Sequence, residues 1–288
     1  EAIVITDYIL DGIQEGSNFG GFELDFDRLS KNHSNVEHDI LKTVQLLPGI
    51  NSIDDSATNL QIRGSSPDQN LILWEGTPIY NAGHIFGMIS AFNPFSVDKV
   101  NIYKGAYDPK YDNRVGGIID ISLTDSTKNT FQGSLGTTLT EVHSNLHIPI
   151  VKDHLSIVLS GRQSISGLYE SPTLESYTEK VFQFSLIDDL AEDVERGFLD
   201  AEQGINYHDW NAKLICEVSK KVGFNVGVYS NQQDFNYSVS VPEDPFISAH
   251  TIGVNTNAVN ADLNFKHGKK WSNSFSFYNS SYKNAYDR

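Results

Sequence analysis

The chain has 288 residues, and its 21 Lys and Arg stand against 37 Asp and Glu, for a formal net charge of −16. So acidic a chain lacks the basic surface that nucleic-acid phosphates require, and no nucleic-acid partner is expected. The single cysteine, Cys216, excludes a disulfide framework and a Cys-rich zinc site. The longest apolar run has four residues, as at 71–74, which excludes a transmembrane helix but leaves a membrane β-barrel open. Because the only methionine is Met88 and Glu1 opens the chain, we expect a processed or excised piece.

Helical and β-like patterns are mixed in residues 33–125. An apolar stripe from Val36 to Leu47 has helical spacing, with a capping box at 34–37 before it and Pro48-Gly49 after it. Short β-like runs follow, each bounded by turn-forming residues, at 60–63, 70–74, 97–103 and 117–123. These patterns predict a small α+β domain over 33–125.

The second half, 126–288, has long segments in which apolar and polar residues alternate. Val222, Phe224, Val226 and Val228, for example, share one face of a predicted strand. Such alternation is typical of a lipid-facing barrel wall and equally of a half-buried soluble sandwich.

The connections favour the barrel. We expect seven strands, at 130–140, 142–150, 155–165, 207–218, 222–236, 256–266 and 271–287. Most of their links alternate between short turns and long loops, as in outer-membrane barrels, and the longest link spans 166–206. A barrel that holds a folded domain needs about 22 strands. The expected fold is therefore an α+β plug domain followed by antiparallel transmembrane β-barrel strands, an incomplete part of a 22-stranded barrel.

Three motifs carry a family resemblance: "DILKTVQLLPGI", "LQIRGSSPDQNLILWEGTPIY" and "VDKVNIYKGAYDPKYDNRVGGIIDISL". Together they resemble the plug domain of TonB-dependent outer-membrane receptors, and the version of the motif at 68–95 looks most like receptors of Bacteroidota. One departure is that Tyr111 is followed by Asp112 where many members have a Tyr-Gly pair.

The resemblance implies energised import of a scarce nutrient across the outer membrane of a Gram-negative bacterium, with a plug that gates the barrel lumen. The implied partners are the TonB periplasmic domain of the TonB–ExbB–ExbD complex, a small nutrient ligand and outer-membrane lipid, while a surface lipoprotein partner is left open. Residues 1–32 would hold the coupling segment and a tether from 7 to 32. The TonB-coupling residues would be Glu1, Ala2, Ile3, Val4, Ile5 and Thr6; the alternative is an ordinary first strand of the plug.

The resemblance also suggests two sets of site residues. A latch between plug and barrel would use Arg63, Glu75, Lys104 and Arg114, which could alternatively be solvated surface charges. Candidate ligand-binding residues are Tyr80, Asn81, His84 and Phe86, which could alternatively form a packed internal turn.

No catalytic constellation, metal site or cofactor is expected, so the chain is not predicted to be an enzyme. Loop 166–206 carries ten acidic residues, which could attract cations or simply keep the loop solvated. The cargo could be an iron chelate, cobalamin or an oligosaccharide. The alternative function is that of a non-transporting, secreted or surface β-rich glycan-binding protein.

Overall fold

The computed structural model describes residues 8–10, 12–15, 21–26, 28–29, 39–105, 107–111, 114–166, 171–182, 200–240, 247–268 and 271–288. The predicted coupling residues 1–6 and the predicted capping box at 34–37 lie outside these ranges. Two β-structures make up the described chain: an N-terminal domain, within residues 8–125, and a curved sheet from residue 132 onward, which we call the wall.

Where the structure describes it, the N-terminal domain has eleven short strands and the α-helix α1 (Ile40–Val44). The strands are β1 (Tyr8–Leu10), β2 (Ile13–Glu15), β3 (Gly21–Asp25), β4 (Ile50–Ser52), β5 (Leu60–Ile62), β6 (Leu71–Trp74), β7 (Thr77–Pro78), β8 (Gly83–His84), β9 (Ile89–Ser90), β10 (Val97–Tyr103) and β11 (Ile118–Leu123). Seven of them form one sheet in the order β1-β2-β3-β10-β11-β6-β7, while β4–β5 and β8–β9 form separate pairs. The strands predicted at 60–63, 70–74, 97–103 and 117–123 correspond to β5, β6, β10 and β11, and the predicted bounds differ from the observed ones by at most one residue.

Helix α1 packs on the main sheet through Ile40, Leu41 and Val44, which are fully buried. Its N-cap is Asp39, whose side chain accepts a hydrogen bond from the backbone N–H of Lys42. The apolar stripe continues to Leu47, but the helix ends at Val44 because Pro48-Gly49 follows within one turn.

Residues 8–25 differ from the predicted tether, because they supply three strands to the main sheet. Strand β3 pairs antiparallel with β10, so that Leu24 lies opposite Val100 and both are fully buried. Burial of this apolar face explains why the segment joins the domain instead of remaining extended. The domain bounds at 32 and 125 stay a prediction.

The wall consists of seven antiparallel strands in sequential order, as predicted. They are β12 (Gln132–Thr137), β13 (Glu141–Val151), β14 (Leu155–Ser164), β15 (Asp200–Ser219), β16 (Val222–Ser240), β17 (Ile247–Lys266) and β18 (Ser272–Asp287). Three strand ends extend beyond the prediction: β15 begins at 200 rather than 207, β16 runs to 240, and β17 begins at 247 rather than 256. These extensions pair with one another, and their apolar residues, such as Ile205 and Ile252, stand among polar ones without regular alternation, so the pattern could not reveal them.

The predicted long loop also holds a helix, α2 (Pro172–Phe182). Leu174, Tyr177, Thr178 and Val181 share its inward face, while Glu175 and Glu179 are exposed. Leu174 packs in one apolar cluster with Ile85 of the N-terminal domain and Phe235 of the wall. Among the described residues, no helix is both long and apolar enough to cross a membrane.

The two faces of the wall have different chemistry. The inner face packs against the N-terminal domain, as Tyr229 and Ala258 show by joining its main hydrophobic core. The outer face carries exposed apolar side chains, including Trp210, Phe275 and Phe277 at 46%, 61% and 64% exposure. The alternation read from the sequence thus separates a face toward the N-terminal domain from an apolar face away from it.

Candidate functional site

A buried arginine connects the N-terminal domain to the wall. Arg162 of β14 contacts Asp209 of β15 through both Nε, at 2.7 Å, and Nη2, at 2.6 Å. Its Nη1 lies 3.3 Å from Oε2 of Glu141, and its Nη2 donates at 2.7 Å to the carbonyl oxygen of Ser90 in β9. The N–H of Ser90 donates in turn to Asp39, the N-cap of α1, at 2.7 Å. We call Arg162, Asp209, Glu141, His84 and Tyr207 the arginine cluster.

His84 contributes the second contact of this cluster. Its Nε2 lies 3.3 Å from Oδ2 of Asp209, and its ring stacks on Tyr207 with centroids 4.5 Å apart. The hydroxyl of Tyr207 donates to Glu141 at 3.0 Å. Burial lowers the pKa of His84 to about 4, so the imidazole is neutral at pH 7 and donates to the carboxylate.

A second ion cluster, the lysine cluster of Lys213, Glu75 and Asp125, lies at the turn between β6 and β7. Lys213 and Glu75 are buried, whereas Asp125 is exposed. Nζ of Lys213 in β15 is 2.6 Å from Glu75 and 2.6 Å from Asp125. The other carboxylate oxygen of Glu75 accepts from the N–H of Leu123 at 2.5 Å. Burial raises the pKa of Glu75 to about 7 against the opposing charge of Lys213.

The backbone of the turn explains why Glu75 is so well placed. Glu75 and Gly76 have φ of 50° and 71°, the left-handed conformation of a type I′ hairpin turn. Glycine adopts it readily, while a glutamate there is strained unless other contacts hold it. The ion pair with Lys213 supplies such a contact and joins the turn to the wall.

Uncharged hydrogen bonds hold the segment 93–96. Asn93 Nδ2 donates to Ser160 Oγ at 3.0 Å, and Asn145 Nδ2 donates to the carbonyl oxygen of Phe95 at 2.9 Å. Phe95 also stacks on His143 with centroids 3.6 Å apart. This segment therefore lies directly against β13 and β14.

An apolar seam completes the interface. Trp74, 1% exposed, lies 5.4 Å from the ring of Tyr229 in β16, and Phe92 lies 5.8 Å from the same ring. Gly227 allows this approach, because a Cβ there would lie 2.9 Å from the Trp74 ring. Burying such aromatic surface stabilises the docked position more than the ion pairs do, since buried ion pairs mainly offset their own desolvation.

The predicted latch residues have different surroundings. Glu75 contacts the wall through Lys213, as described. Arg63 instead donates at 3.3 Å to the carbonyl oxygen of Lys104, and Lys104 donates at 2.7 Å to that of Pro48, so both contact their own domain. The carbonyl oxygen of Arg114 accepts from Tyr107 at 3.0 Å, again within the domain. The structure thus places Glu75 at the interface with the wall.

The predicted ligand residues divide into two pairs. Tyr80 and Phe86 are 59% and 44% exposed. His84 is fully buried in the arginine cluster, and the carbonyl oxygen of Asn81 accepts from Asn231 of the wall at 3.4 Å. The alternative of a packed internal turn thus describes His84, whereas Tyr80 and Phe86 present their rings to solvent.

A strained turn presents Phe86. Ile85, Phe86 and Gly87 have φ of 51°, 53° and 95°, and a positive φ is costly for a β-branched residue such as Ile85. The N–H of Ile85 donates to Oε1 of Gln233 at 2.8 Å, and Phe86 meets Phe235 edge-on at 5.7 Å. The wall therefore holds the turn in this conformation.

Sequence reasoning missed the wall residues Arg162, Asp209, Glu141 and Lys213. A signal was present in the sequence, because each of these charged residues occupies an inward-facing position of its strand. Charges of this kind on a face that packs against another domain need partners. In the described part of the chain, no group of three or more His, Cys, Asp or Glu could hold a metal ion.

Comparison with known proteins agrees with this architecture. Residues 33–118 match the family model of the TonB-dependent receptor plug domain. No curated protein matches the chain in sequence. Among solved structures, the siderophore receptor PirA from Acinetobacter baumannii is similar with TM-score 0.51 and 14% identity, over 91% of this chain and 47% of that one. The copper transporter OprC is similar with TM-score 0.56 and 9% identity, over 99% of this chain and 49% of that one.

Residues 33–118 therefore form a TonB-dependent receptor plug domain, and the seven antiparallel strands that follow are consistent with part of a receptor barrel. The chain spans about half the length of these two solved structures. The N-terminal domain is hereafter called the plug.

Proposed function

We propose that this chain is part of a TonB-dependent outer-membrane transporter that imports a small nutrient, with the plug closing the barrel lumen. The observation that carries the proposal is the seating of a plug domain against the inner face of the wall through the buried arginine cluster and the buried pair of Lys213 and Glu75. A plug held in this way blocks passage until part of it moves.

The contacts with the wall are unevenly distributed over the plug. Those described above involve residues 74–96 and residue 125. Strands β1 and β2, of three residues each, lie at one edge of the main sheet and are joined to the rest through β3. Short edge strands open locally at a lower free-energy cost than the whole domain. Traction on the N-terminus would therefore remove the edge first and leave the wall-bound part in place.

The proposed source of traction is the TonB–ExbB–ExbD complex, bound through residues 1–6. A short β-prone peptide can add as a strand to the sheet edge of a partner. Each elementary charge that crosses the inner membrane at 100 mV yields about 2.3 kcal/mol, so a few charges match a local unfolding cost of a few kcal/mol.

The outer face of the wall supports a location in the outer membrane of a Gram-negative bacterium. Exposed apolar side chains cover its middle, with Trp210 toward the long loops and Trp271 beside a short turn. Aromatic residues at both edges of an apolar band are typical of barrels in lipid. The form of the motif at 68–95 further suggests a source in Bacteroidota.

The proposal is tested with a synthetic peptide of residues 1–8 and a scrambled control of the same composition. Titration of each into the TonB periplasmic domain of the source organism should show sequence-dependent binding in the micromolar range. Equal binding of the two peptides would contradict coupling through residues 1–6.

A further inference from the structure

Three short turns join described strands of the wall at one end, and they lie at the same level. They are the turns between β13 and β14, between β15 and β16, and between β17 and β18. The N–H of Glu217 donates to the carbonyl oxygen of His154 at 2.7 Å, which joins the first turn to the second. The N–H of Lys266 donates to the carbonyl oxygen of Lys221 at 2.7 Å, which joins the second turn to the third. Because neighbouring strands are about 4.8 Å apart, successive turns follow at about 10 Å along one edge of the wall.

Exposed lysines are concentrated at these turns. We call four of them the turn lysines: Lys152, Lys220, Lys221 and Lys266. Asp153, which accepts from Asn129 at 2.7 Å, and Glu217 lie among them. Residues 269–270, also lysines, lie outside the described part of the chain. At the other end of the strands, loop 166–206 carries ten acidic residues against two basic ones. The wall therefore has a cationic end at the turns and an anionic end at this loop.

A cavity of about 390 Å³ lies between the second and third turns. Its lining includes Lys220, Lys221 and Lys266, together with the hydroxyl-bearing residues Ser219 and Ser272. The acidic residues of this lining are Asp125, which Lys213 contacts at 2.6 Å, and Glu217. Since Lys213 offsets the charge of Asp125, the three lysines exceed the remaining acid. The cavity thus offers positive charge and hydrogen-bond donors to an anionic group such as a phosphate.

Exposed apolar side chains flank the turns. Val151, Val218 and Trp271 are 49%, 63% and 76% exposed. Val151 directly precedes Lys152, and Val218 lies two residues before Lys220. A lysine at the edge of an apolar band can bury its methylene stem there and hold its ammonium group at the level of lipid headgroups. The turn lysines therefore lie where the apolar outer face of the wall meets its polar boundary.

Charge and position together select a partner for the turn lysines. Basic residues beside a membrane-embedded apolar surface are typical of proteins that bind anionic lipid headgroups. A soluble phosphate compound would make the same charge contacts but would leave Val151, Val218 and Trp271 in water. A phospholipid satisfies both requirements, because its phosphate meets the ammonium groups while its acyl chains cover the apolar side chains.

We infer that the turn lysines bind the phosphate groups of anionic phospholipids. The inference rests on the proposed function, which places the wall in the outer membrane, and it specifies the lipid class that the wall selects. Short turns of outer-membrane barrels lie on the periplasmic side, so the lipids concerned are those of the periplasmic leaflet. Lipid binding requires neither TonB nor a nutrient and can be tested separately from transport.

The test is native mass spectrometry of the full-length protein in detergent with increasing amounts of phosphatidylglycerol. Phosphatidylcholine with the same acyl chains is the zwitterionic comparison, and glycerol 3-phosphate is the soluble phosphate probe. The variants are Lys266→Gln and the double replacement of Lys220 and Lys221 by Gln, in exposed turns where folding is little affected. The control is Lys283→Gln, which removes an exposed lysine toward the other end of β18, where it pairs with Asn255.

We expect phosphatidylglycerol to bind at least about tenfold more tightly than phosphatidylcholine. Each lysine close to anionic headgroups contributes about a fivefold gain in affinity. Lys266→Gln should therefore weaken phosphatidylglycerol binding about fivefold and the double variant about 25-fold, while Lys283→Gln should leave it unchanged.

Equal affinity for the two lipids would overturn the inference while leaving the proposed transport function intact. A preference for phosphatidylglycerol that the turn variants do not reduce would overturn it as well. Binding of glycerol 3-phosphate as tight as that of the lipid would also overturn it, in favour of a soluble anion. A negative result with the TonB peptide would count against the transport function alone.

Discussion

Replacement of Arg162 by Met should loosen the plug more than any change to an exposed ion pair. Methionine keeps the length of the side chain but removes the contacts to Asp209, Glu141 and the carbonyl oxygen of Ser90, which lie at 2.6–3.3 Å. Asp209 and Glu141 are 1% and 7% exposed and would stay buried without their cation. Removing one partner of a buried pair costs about 3–5 kcal/mol.

The assay is native-state hydrogen exchange of the full-length protein in detergent, read at the Ser90 amide, which is bonded to Asp39. A cost of about 3–5 kcal/mol lowers protection there by about two to three and a half orders of magnitude, at 1.4 kcal/mol per factor of ten. The control is Lys99→Met, which breaks an exposed pair with Glu23 at 3.2 Å and should cost about 0–1 kcal/mol. If both variants change Ser90 protection equally, the arginine cluster does not hold the plug.

Two further predictions concern the same interface. Because burial lowers the pKa of His84 from 6.5 to about 4, its contribution to docking is complete above pH 6.5 and declines by about 1.4 kcal/mol per pH unit as the pH falls toward 4. His84→Gln should therefore reduce the difference between the melting temperatures at pH 7.5 and pH 5. An unchanged difference would refute this role of His84. Gly227→Ala should destabilise the full-length protein by about 1–3 kcal/mol in thermal or denaturant unfolding, because the new methyl group would press on Trp74. Gly223→Ala of the same strand, whose nearest neighbour would be 3.9 Å away, is the control and should have little effect.

The parts of the fold that could be predicted are the strands and helices in which one face is apolar and the other is polar. Strand β16 shows this, because Val222, Phe224, Val226 and Val228 alternate with residues of the inner face. The extension of β15 back to Asp200 could not be predicted, because Ile205 is the only large apolar residue in 200–206 and no alternation is visible there. Helix α2 was missed for another reason: its apolar face of Leu174, Tyr177 and Val181 is narrow and lies within a very acidic segment.

The candidate site was predictable only in part, because it depends on contacts between distant segments. Glu75 could be chosen from its motif, but its partner Lys213 lies 138 residues further along the chain. His84 was chosen as a candidate ligand-binding residue, but the structure buries its ring against Tyr207. The pattern of residues along the sequence predicts which side chains face inward, but it does not predict which residues they contact.

The order of the edge strands determines how a pulling force would act on the plug. Tyr8 pairs with Gln14 at the open end of the β1–β2 hairpin, and Gly21 pairs with Tyr103 at the near end of β3. A force applied at the N-terminus therefore breaks the inter-strand hydrogen bonds one after another and does not load all the bonds of a strand at the same time. The peak force stays low even though the total work is that of the complete opening. Helix α1, whose N-cap Asp39 accepts from the N–H of Ser90 beside Arg162, follows β3 among the described elements and is where such peeling would first meet the wall-bound part of the plug.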